Sequence, residues 1–304
     1  MEFWHDTARS RRWLGRLILF MVLLLLPAAV VGLFARPMAD DFGYSAATHA
    51  VAVQYGFDLP RLLAAAWDTT VHYFNNWQGL YVSGFVLALQ PGLFGNRWYG
   101  LTFFWVVVPL FACLWGCARL VVRRLDPKVR LLAPALAMLF LFAFVQGMPN
   151  PAEGLYWFNG AVNYQLYFAA AVLNAGVTFA LALPASATRR GRVGLMAAGV
   201  LAGLFIGGGH QVVGVLNLLV LLLAAVLCGM RRNFRHLPAL AAAAAGLVIN
   251  LTAPGTRVRV DGFSGAGFVE AAAKSCLLAL SEWVRWLDVP LLCLLGPRGV
   301  ARRR

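Results

Sequence analysis

Apolar runs long enough to cross a lipid bilayer recur along almost the whole chain. They lie at 14–34, 98–122, 131–148, 161–183, 193–209, 211–228 and 237–253. A helix needs roughly 20 apolar residues to span the hydrocarbon core, where helices satisfy their own backbone groups. With 61% hydrophobic and 12% charged residues, the chain has too few charges for a soluble domain. The sequence therefore predicts an all-α fold, a polytopic transmembrane helix bundle.

The net charge of +14 is concentrated in short segments between the apolar runs. Four of these segments, at 9–16, 123–130, 189–192 and 231–235, hold fourteen basic residues. The segments between them hold five arginines and six acidic residues. Because basic residues are retained on the cytoplasmic side of membrane proteins, this asymmetry predicts a cytoplasmic N-terminus. It also accounts for the positive charge without a nucleic-acid partner.

Two stretches do not fit a simple series of spans. The stretch 80–95 contains Pro-Gly and would invert all later loops if it crossed, so we predict a short re-entrant or interfacial helix. The stretch 269–296 carries five charged residues, most of them on one helical stripe, and is predicted to be a last span or an interfacial helix. Since no internal repeat or linker interrupts the chain, residues 1–304 are predicted to form a single membrane domain.

The segment 35–79 is too long for a plain connector, and we predict an extracytoplasmic loop with surface helices. Within it Asp58 fits the N-cap of a helix, and Pro60 fits its first turn. The positions predicted to form the apolar face follow with helical spacing: Leu59, Leu63, Ala66, Trp67, Thr70, Phe74 and Trp77. We therefore expect an amphipathic helix over 59–77, lying on the outer surface of the membrane.

The polar residues that could carry chemistry lie in the segments predicted to be outside. They are Asp40, Asp41, His72, Glu153, Tyr156, Trp157, His210 and Arg257. The apolar runs up to residue 253 have no ionisable residue near their centres, which disfavours an ion or proton path. A site at the outer interface is therefore predicted.

Each of these residues also has a purely structural interpretation. The acidic pair could cap a helix over Phe42–Val53, and Glu153 could be a turn residue. His72 and Asp68 fit a pair on a helix surface. The aromatic residues fit an interfacial belt, His210 fits a close helix contact beside three glycines, and Arg257 fits a solvated position.

Four motifs in order give the chain a family resemblance: PMADDFGY, WQGLYVS, GLYWFNGAVNYQ and NLTAPGTRVR. An acidic pair after the first membrane helix, followed by a long outer loop of surface helices, resembles the GT-C class of integral-membrane glycosyltransferases. The motifs together are similar to an uncharacterised family of bacterial multi-pass proteins placed near that class. The resemblance covers most of 30–260, and the abrupt tail GPRGVARRR predicts a chain shorter than its relatives. The resemblance also implies that the protein lies in the bacterial cytoplasmic (inner) membrane.

The resemblance implies that a sugar moves from a polyprenyl-phosphate donor to an envelope glycan or lipid acceptor at the extracytoplasmic face. Asp41, or failing that Asp40, would remove the proton from the acceptor hydroxyl. Arginine, histidine or a divalent metal can hold the phosphate that leaves. The residues assigned to phosphate binding are Arg257 and His210, and those assigned to substrate contact are Glu153, Tyr156, Trp157 and His72.

Two other functional classes are compatible with the same sequence. A lipid or polysaccharide transporter or flippase would need a continuous polar groove, for which the apolar runs offer only Asn174, Asn217 and Asn250. A non-catalytic membrane protein of envelope assembly would tolerate the loss of either aspartate.

Overall fold

A computed structural model describes residues 7–125, 131–182, 188–230, 232–262 and 265–286. Within these ranges the chain is helical and contains no strand, so the all-α prediction is confirmed. The helices are α1 (Thr7–Gly32), α2 (Asp40–Tyr55), α3 (Leu59–Asn76), α4 (Tyr81–Ala88), α5 (Thr102–Leu125), α6 (Leu132–Gln146), α7 (Phe158–Ala161), α8 (Tyr167–Ala182), α9 (Arg189–Gly207), α10 (Gln211–Gly229), α11 (Leu237–Leu251), α12 (Pro254–Asp261) and α13 (Phe268–Trp286).

Several of these helices are long and apolar enough to cross a membrane. The five that qualify alone cover Ala8–Gly32, Asn96–Arg123, Phe158–Ala182, Arg189–Gly207 and Gln211–Gly229. A sixth would combine α11 and α12, which bend by 51° at their junction. The predicted span 131–148 is a shorter apolar helix of 15 residues, α6. These helices indicate a multi-pass membrane protein.

The stretch 80–95 contacts two different parts of the protein. At its start the Val82 amide donates to the Gly208 carbonyl, 2.9 Å away, just after α9. Its later part is a 3-10 turn, Pro91–Phe94, whose Gly92 lies against Pro37, the residue shortly before α2. Tyr81–Phe94 is a shorter apolar helix, and its re-entrant or interfacial placement stays a prediction.

The helix predicted over 59–77 is present as α3, and its cap is confirmed. The Asp58 carboxylate accepts a hydrogen bond from the Arg61 amide at 3.2 Å. α3 packs on α4 through small residues, with Thr70 against Gly84. Of the face predicted, only Ala66 and Thr70 are buried, together with two positions beside them, Leu62 and Thr69. Trp67 stays 61% exposed, which suits a face turned to lipid.

Three buried amides hold the long helices together. Asn174 on α8 donates from Nδ2 to Oδ1 of Asn217 on α10 at 3.0 Å. Asn250 on α11 donates to the carbonyls of Gly207 and Gly209, both at 2.9 Å. We call these three residues the interior amides. They lie among apolar helices and join α8 to α10 and α9 to α11.

Among the described residues, those of 260–262 and 265–286 belong to a second compact unit. Its helix α13 carries an ion pair between Lys274 and Glu270 at 2.6 Å. Within the described part of the chain, α13 is not among the helices long and apolar enough to span a membrane. The rest of the predicted segment 269–296, from residue 287 onward, lies outside the described residues.

Candidate functional site

The first and third sequence motifs meet at one end of the bundle. The indole nitrogen of Trp157 donates to the Met38 carbonyl at 3.2 Å, which fixes the chain just before the acidic pair. Asn159 then contacts both carboxylates. Its backbone amide donates to Asp41 Oδ1 at 3.1 Å, and its side-chain Nδ2 donates to Asp40 Oδ2 at 3.2 Å. One asparagine therefore sets the relative position of the two aspartates.

Asp41 is buried, with 2% of its surface exposed. Its Oδ2 accepts hydrogen bonds from the Tyr99 hydroxyl and from the Met38 amide, the latter at 3.1 Å. Burial raises the pKa of Asp41, hydrogen bonds from Tyr99, Met38 and Asn159 oppose the rise, and the charge of Asp40 adds to it. With three donors directed at it, Asp41 is held in a fixed position inside the protein.

Asp40 differs from its neighbour because its side chain is exposed. Both aspartates lie in the first turn of α2, where a negative charge interacts favourably with the helix dipole. The proposed capping role was wrong in its geometry: the cap position is Ala39, with φ of 48°, and no side chain caps the helix. The Asp40 carboxylate is thus an exposed acceptor whose orientation is set by Asn159.

Two π-helical turns shape the segment that holds Asn159. They cover Ala152–Tyr156 and Val162–Leu166, on either side of the short helix α7. The second turn contains Asn163, whose Nδ2 donates to Oδ1 of Asn159 at 2.5 Å. This bond orients the Asn159 amide so that its nitrogen faces Asp40. Such π turns are rare and occur often at functional sites.

The second and fourth motifs also meet, through their glycines. A Cβ on Gly79 would lie 1.9 Å from the Asn250 carbonyl oxygen, and one on Gly255 would lie 2.6 Å from the Trp77 amide nitrogen. Both neighbours are backbone atoms, so only glycine allows this approach. The Gly79 amide donates to Thr256 Oγ1 at 2.9 Å, which completes the contact. The end of α3 is thereby joined to the junction of α11 and α12.

A chain of polar contacts connects the two pairs of motifs. Arg259 lies over the Trp77 ring, 5.2 Å from its centroid, and donates to Gln78 Oε1 at 2.5 Å. Gln78 in turn donates to the Tyr44 hydroxyl at 2.5 Å. Tyr44 stacks on Tyr73 with 4.2 Å between ring centroids. A cation from the fourth motif is thus connected to the helix that begins with the acidic pair.

The pKa of Tyr44 is raised above its ordinary value. Burial raises it most, followed by the neighbouring Tyr73, and the hydrogen bond from Gln78 lowers it. The negative charge of Asp40 raises the pKa further, and the positive charge of Arg259 lowers it. The charges of Asp40 and Arg259 therefore act in opposite directions on the Tyr44 phenol.

His210 lies beside this cluster, at the start of α10. Its ring is 4.4 Å from the ring of Tyr164, and its Nδ1 is buried without a hydrogen-bond partner among the described residues. Burial lowers the pKa of His210, and the charge of Arg259 lowers it further. The imidazole is therefore neutral at neutral pH, and it lies within the field of Arg259.

The structure brings some of the predicted site residues together and separates others. Tyr156 and Trp157 anchor the segment: the Tyr156 hydroxyl donates to the Ala28 carbonyl at 3.0 Å. His72, Glu153 and Arg257 are exposed, and none of their hydrogen bonds or ion pairs within the described residues reaches the acidic pair. The residues that sequence reasoning missed are Gln78, Tyr99, Asn159, Asn163 and Arg259. All of them except Tyr99 lie within the quoted motifs. The motifs were therefore the feature of the sequence that could have identified them.

The described residues around the acidic pair do not fit a metal site. The Asp41 oxygens already accept three hydrogen bonds, and no group of three His, Cys, Asp or Glu side chains within the described ranges could hold a metal ion. A divalent metal, which the sequence left open as one group able to hold the phosphate, therefore enters no step below.

No family model matches the chain, and no curated protein or solved structure is significantly similar to it.

Proposed function

We propose that the protein is a membrane glycosyltransferase that moves a sugar from a polyprenyl-phosphate donor to an envelope glycan or lipid acceptor at the extracytoplasmic face. The observation that carries the proposal is that an exposed carboxylate, Asp40, begins the helix whose Tyr44 is joined through Gln78 to a guanidinium, that of Arg259. Transfer from a lipid phosphate needs a base for the acceptor hydroxyl and a cation for the departing phosphate. This end of the bundle supplies both.

Asp40 takes the role of general base in this mechanism. A base must reach the proton of an incoming hydroxyl, and the Asp40 side chain is exposed while Asp41 is 2% exposed. Asp41 acts as a positioning residue, because its contacts with Tyr99, Met38 and Asn159 fix the turn that presents Asp40. The proposed mechanism therefore prefers Asp40 as the base, whereas the sequence analysis preferred Asp41.

Arg259 takes the phosphate role that the sequence assigned to Arg257. Its guanidinium is held by Gln78 and Trp77, which leaves other donors of its fork for phosphate oxygens. When the acceptor oxygen bonds to the anomeric carbon, the bond from that carbon to the phosphate oxygen breaks. The electron pair leaves on the phosphate beside Arg259, and the hydroxyl proton passes to Asp40.

The interior amides give little support to the transporter alternative. Asn174 pairs with Asn217, and Asn250 bonds to backbone carbonyls at the end of α9. Amides engaged in this way join helices rather than line a continuous polar groove. No observation favours a non-catalytic role over the catalytic one.

The test is transfer by the purified full chain in lipid nanodiscs, with a panel of polyprenyl-phosphate sugars and with bacterial envelope glycans and lipids as acceptors. Asp40→Asn should lower the rate by about 10²–10⁴-fold, because the amide is nearly isosteric but cannot take the proton. Asp68→Asn, at an exposed carboxylate on α3, is the matched control and should keep the wild-type rate.

Full transfer activity in the Asp40→Asn variant would contradict the assignment of the base. Movement of the intact lipid-linked sugar across the bilayer, without release of polyprenyl phosphate, would favour the transporter alternative instead.

A further inference from the structure

Tyr73 on α3 presents a hydroxyl group close to the proposed base. A Cβ built on Gly43 would lie 2.9 Å from the Tyr73 hydroxyl oxygen, so this oxygen lies directly on the first turn of α2. Gly43 follows Asp40 by three residues, and residues three apart are neighbours on the surface of a helix. The hydroxyl of Tyr73 and the carboxylate of Asp40 are therefore presented from neighbouring positions of α2.

This hydroxyl is open to a partner from outside the protein. The Tyr73 side chain is half-buried, and its hydroxyl makes no hydrogen bond within the described part of the chain. The oxygen keeps accessible surface, unlike the buried Oε1 of Gln90, which also lacks a partner among the described residues. Since Asp40 is exposed as well, one ligand can contact both groups.

The two stacked tyrosines differ in this respect. Their ring centroids are 4.2 Å apart, but Tyr44 is 3% exposed and its hydroxyl accepts a hydrogen bond from Gln78 at 2.5 Å. Tyr44 therefore serves as a fixed surface on which the ring of Tyr73 rests. The stack holds the Tyr73 hydroxyl in place and leaves it unpaired.

The Tyr73 phenol stays protonated at neutral pH. Burial raises its pKa most, and the negative charge of Asp40 raises it further. A protonated phenol both donates and accepts hydrogen bonds, whereas a carboxylate only accepts. The two groups therefore suit a ligand that offers a proton to the carboxylate and a second hydroxyl to the phenol.

We propose that the Tyr73 hydroxyl binds a second hydroxyl of the acceptor, next to the one whose proton passes to Asp40. Neighbouring hydroxyl groups are a feature of sugar rings, so the acceptor is a glycan rather than a lipid with one hydroxyl. This inference rests on the proposed function and specifies its acceptor class. Because the bond forms in the bound acceptor and in the transition state alike, its loss raises the KM for the acceptor and leaves kcat unchanged.

The experiment measures transfer by the full chain in nanodiscs from undecaprenyl phosphate carrying glucose, galactose, mannose or arabinose. The acceptors are the methyl glycosides of glucose, galactose and mannose, their single-deoxy analogues, and diacylglycerol, a lipid with one free hydroxyl. With wild type, loss of one hydroxyl next to the reacting one should raise the acceptor KM about three- to tenfold, the effect of one hydrogen bond. Tyr73→Phe keeps the stacked ring. It should raise the KM for the intact glycoside by the same factor, leave kcat unchanged, and no longer distinguish that glycoside from its deoxy analogue.

Gly43→Ala tests the geometry with the hydroxyl still present. The added carbon would lie 2.9 Å from the hydroxyl oxygen, which must therefore shift, while alanine favours the helix. The acceptor KM should rise by at least about threefold in this variant. In the Tyr73→Phe background the same change should raise the KM by less than about twofold, because no oxygen then meets the added carbon. Tyr55→Phe, at an exposed tyrosine of α2, is the matched control and should keep the wild-type KM.

An acceptor KM that is unchanged in Tyr73→Phe would overturn the inference. A rise in the KM for the lipid donor alone would also overturn it, since the hydroxyl would then bind the transferred sugar. Transfer to diacylglycerol but to no glycoside would overturn it as well. All three results would leave the proposed transferase function intact. If wild type transfers sugar to none of these acceptors, the proposed function itself fails.

Discussion

Two buried polar clusters in this protein are built from similar residues but are connected differently. The interior amides, Asn174, Asn217 and Asn250, bond to each other or to backbone carbonyls inside the bundle. The second, which we call the end cluster, consists of Asp40, Asp41, Tyr99, Asn159 and Asn163. In the end cluster, Asn159 connects the buried carboxylate of Asp41 to the exposed carboxylate of Asp40.

The difference separates a cluster that joins helices from one that ends in an exposed carboxylate. The interior amides join helices through hydrogen bonds to one another or to backbone carbonyls. In the end cluster, the buried members Tyr99 and Asp41 fix the turn, and the exposed member is left available. Each of the following predictions separates these two roles.

The largest effect on stability is expected at the buried member of the end cluster. Asp41→Ala leaves three hydrogen-bond donors without an acceptor, at about 1–3 kcal/mol each. The free energy of unfolding should therefore fall by at least about 3 kcal/mol, measured by unfolding in mixed detergent and SDS. Asp40→Ala should change it by less than about 1 kcal/mol, since its side chain is exposed. Equal losses would mean that the two aspartates do not have separate roles.

A smaller effect is expected where the cation of the site is changed. Arg259→Lys keeps the charge but loses the planar fork, so the KM for the lipid donor should rise about tenfold. Arg257→Lys is the control and should change this KM by less than about twofold, because Arg257 is exposed and none of its hydrogen bonds or ion pairs among the described residues reaches the acidic pair. A larger rise in this KM in Arg257→Lys than in Arg259→Lys would favour Arg257 as the phosphate-binding residue, as the sequence predicted.

The interior amides should affect stability alone, and only modestly. Asn174→Leu leaves Asn217 without its partner and should cost about 1 kcal/mol of unfolding free energy. The double variant with Asn217→Leu should recover most of this loss, because no polar group then remains unpaired. Transfer rates should be unchanged in all three. A change in the rate would connect the interior amides to function and favour the transporter alternative.

The smallest effect is the pH dependence of stability that Asp41 causes. Its pKa in the folded protein is raised above the ordinary value of 3.8, chiefly by burial. A raised pKa stabilises the fold fully below pH 3.8, and this contribution is lost as pH rises through the folded pKa. The difference in unfolding free energy between wild type and Asp41→Asn should therefore decrease as pH rises across this window. A difference that grows with pH would show that hydrogen bonds to Asp41 outweigh its burial.

The helix α3 shows how far the sequence pattern could lead. Asp58 and Pro60 predicted its start correctly, because capping depends on residues that are neighbours in the chain. The pattern did not indicate which side of α3 packs on protein: Thr70 lies against Gly84, and Trp67 is exposed. In a bilayer an apolar side chain can face lipid as well as protein, so hydrophobicity alone does not identify the packed side.

The amino-acid sequence by itself determined the all-α membrane architecture. It also identified the four motifs, which contain most residues of the candidate site. Span length and helical periodicity are local properties, and they can be read from consecutive residues. The tertiary structure decided that Asp41 is buried, that Asp40 is exposed, and that Arg259 is joined through Gln78 to Tyr44, on the helix that the acidic pair begins. These outcomes depend on Asn159, Tyr99 and Gln78 arriving from other parts of the chain. Adjacent or nearly adjacent residues of one helix face different surroundings, and only packing sets those surroundings.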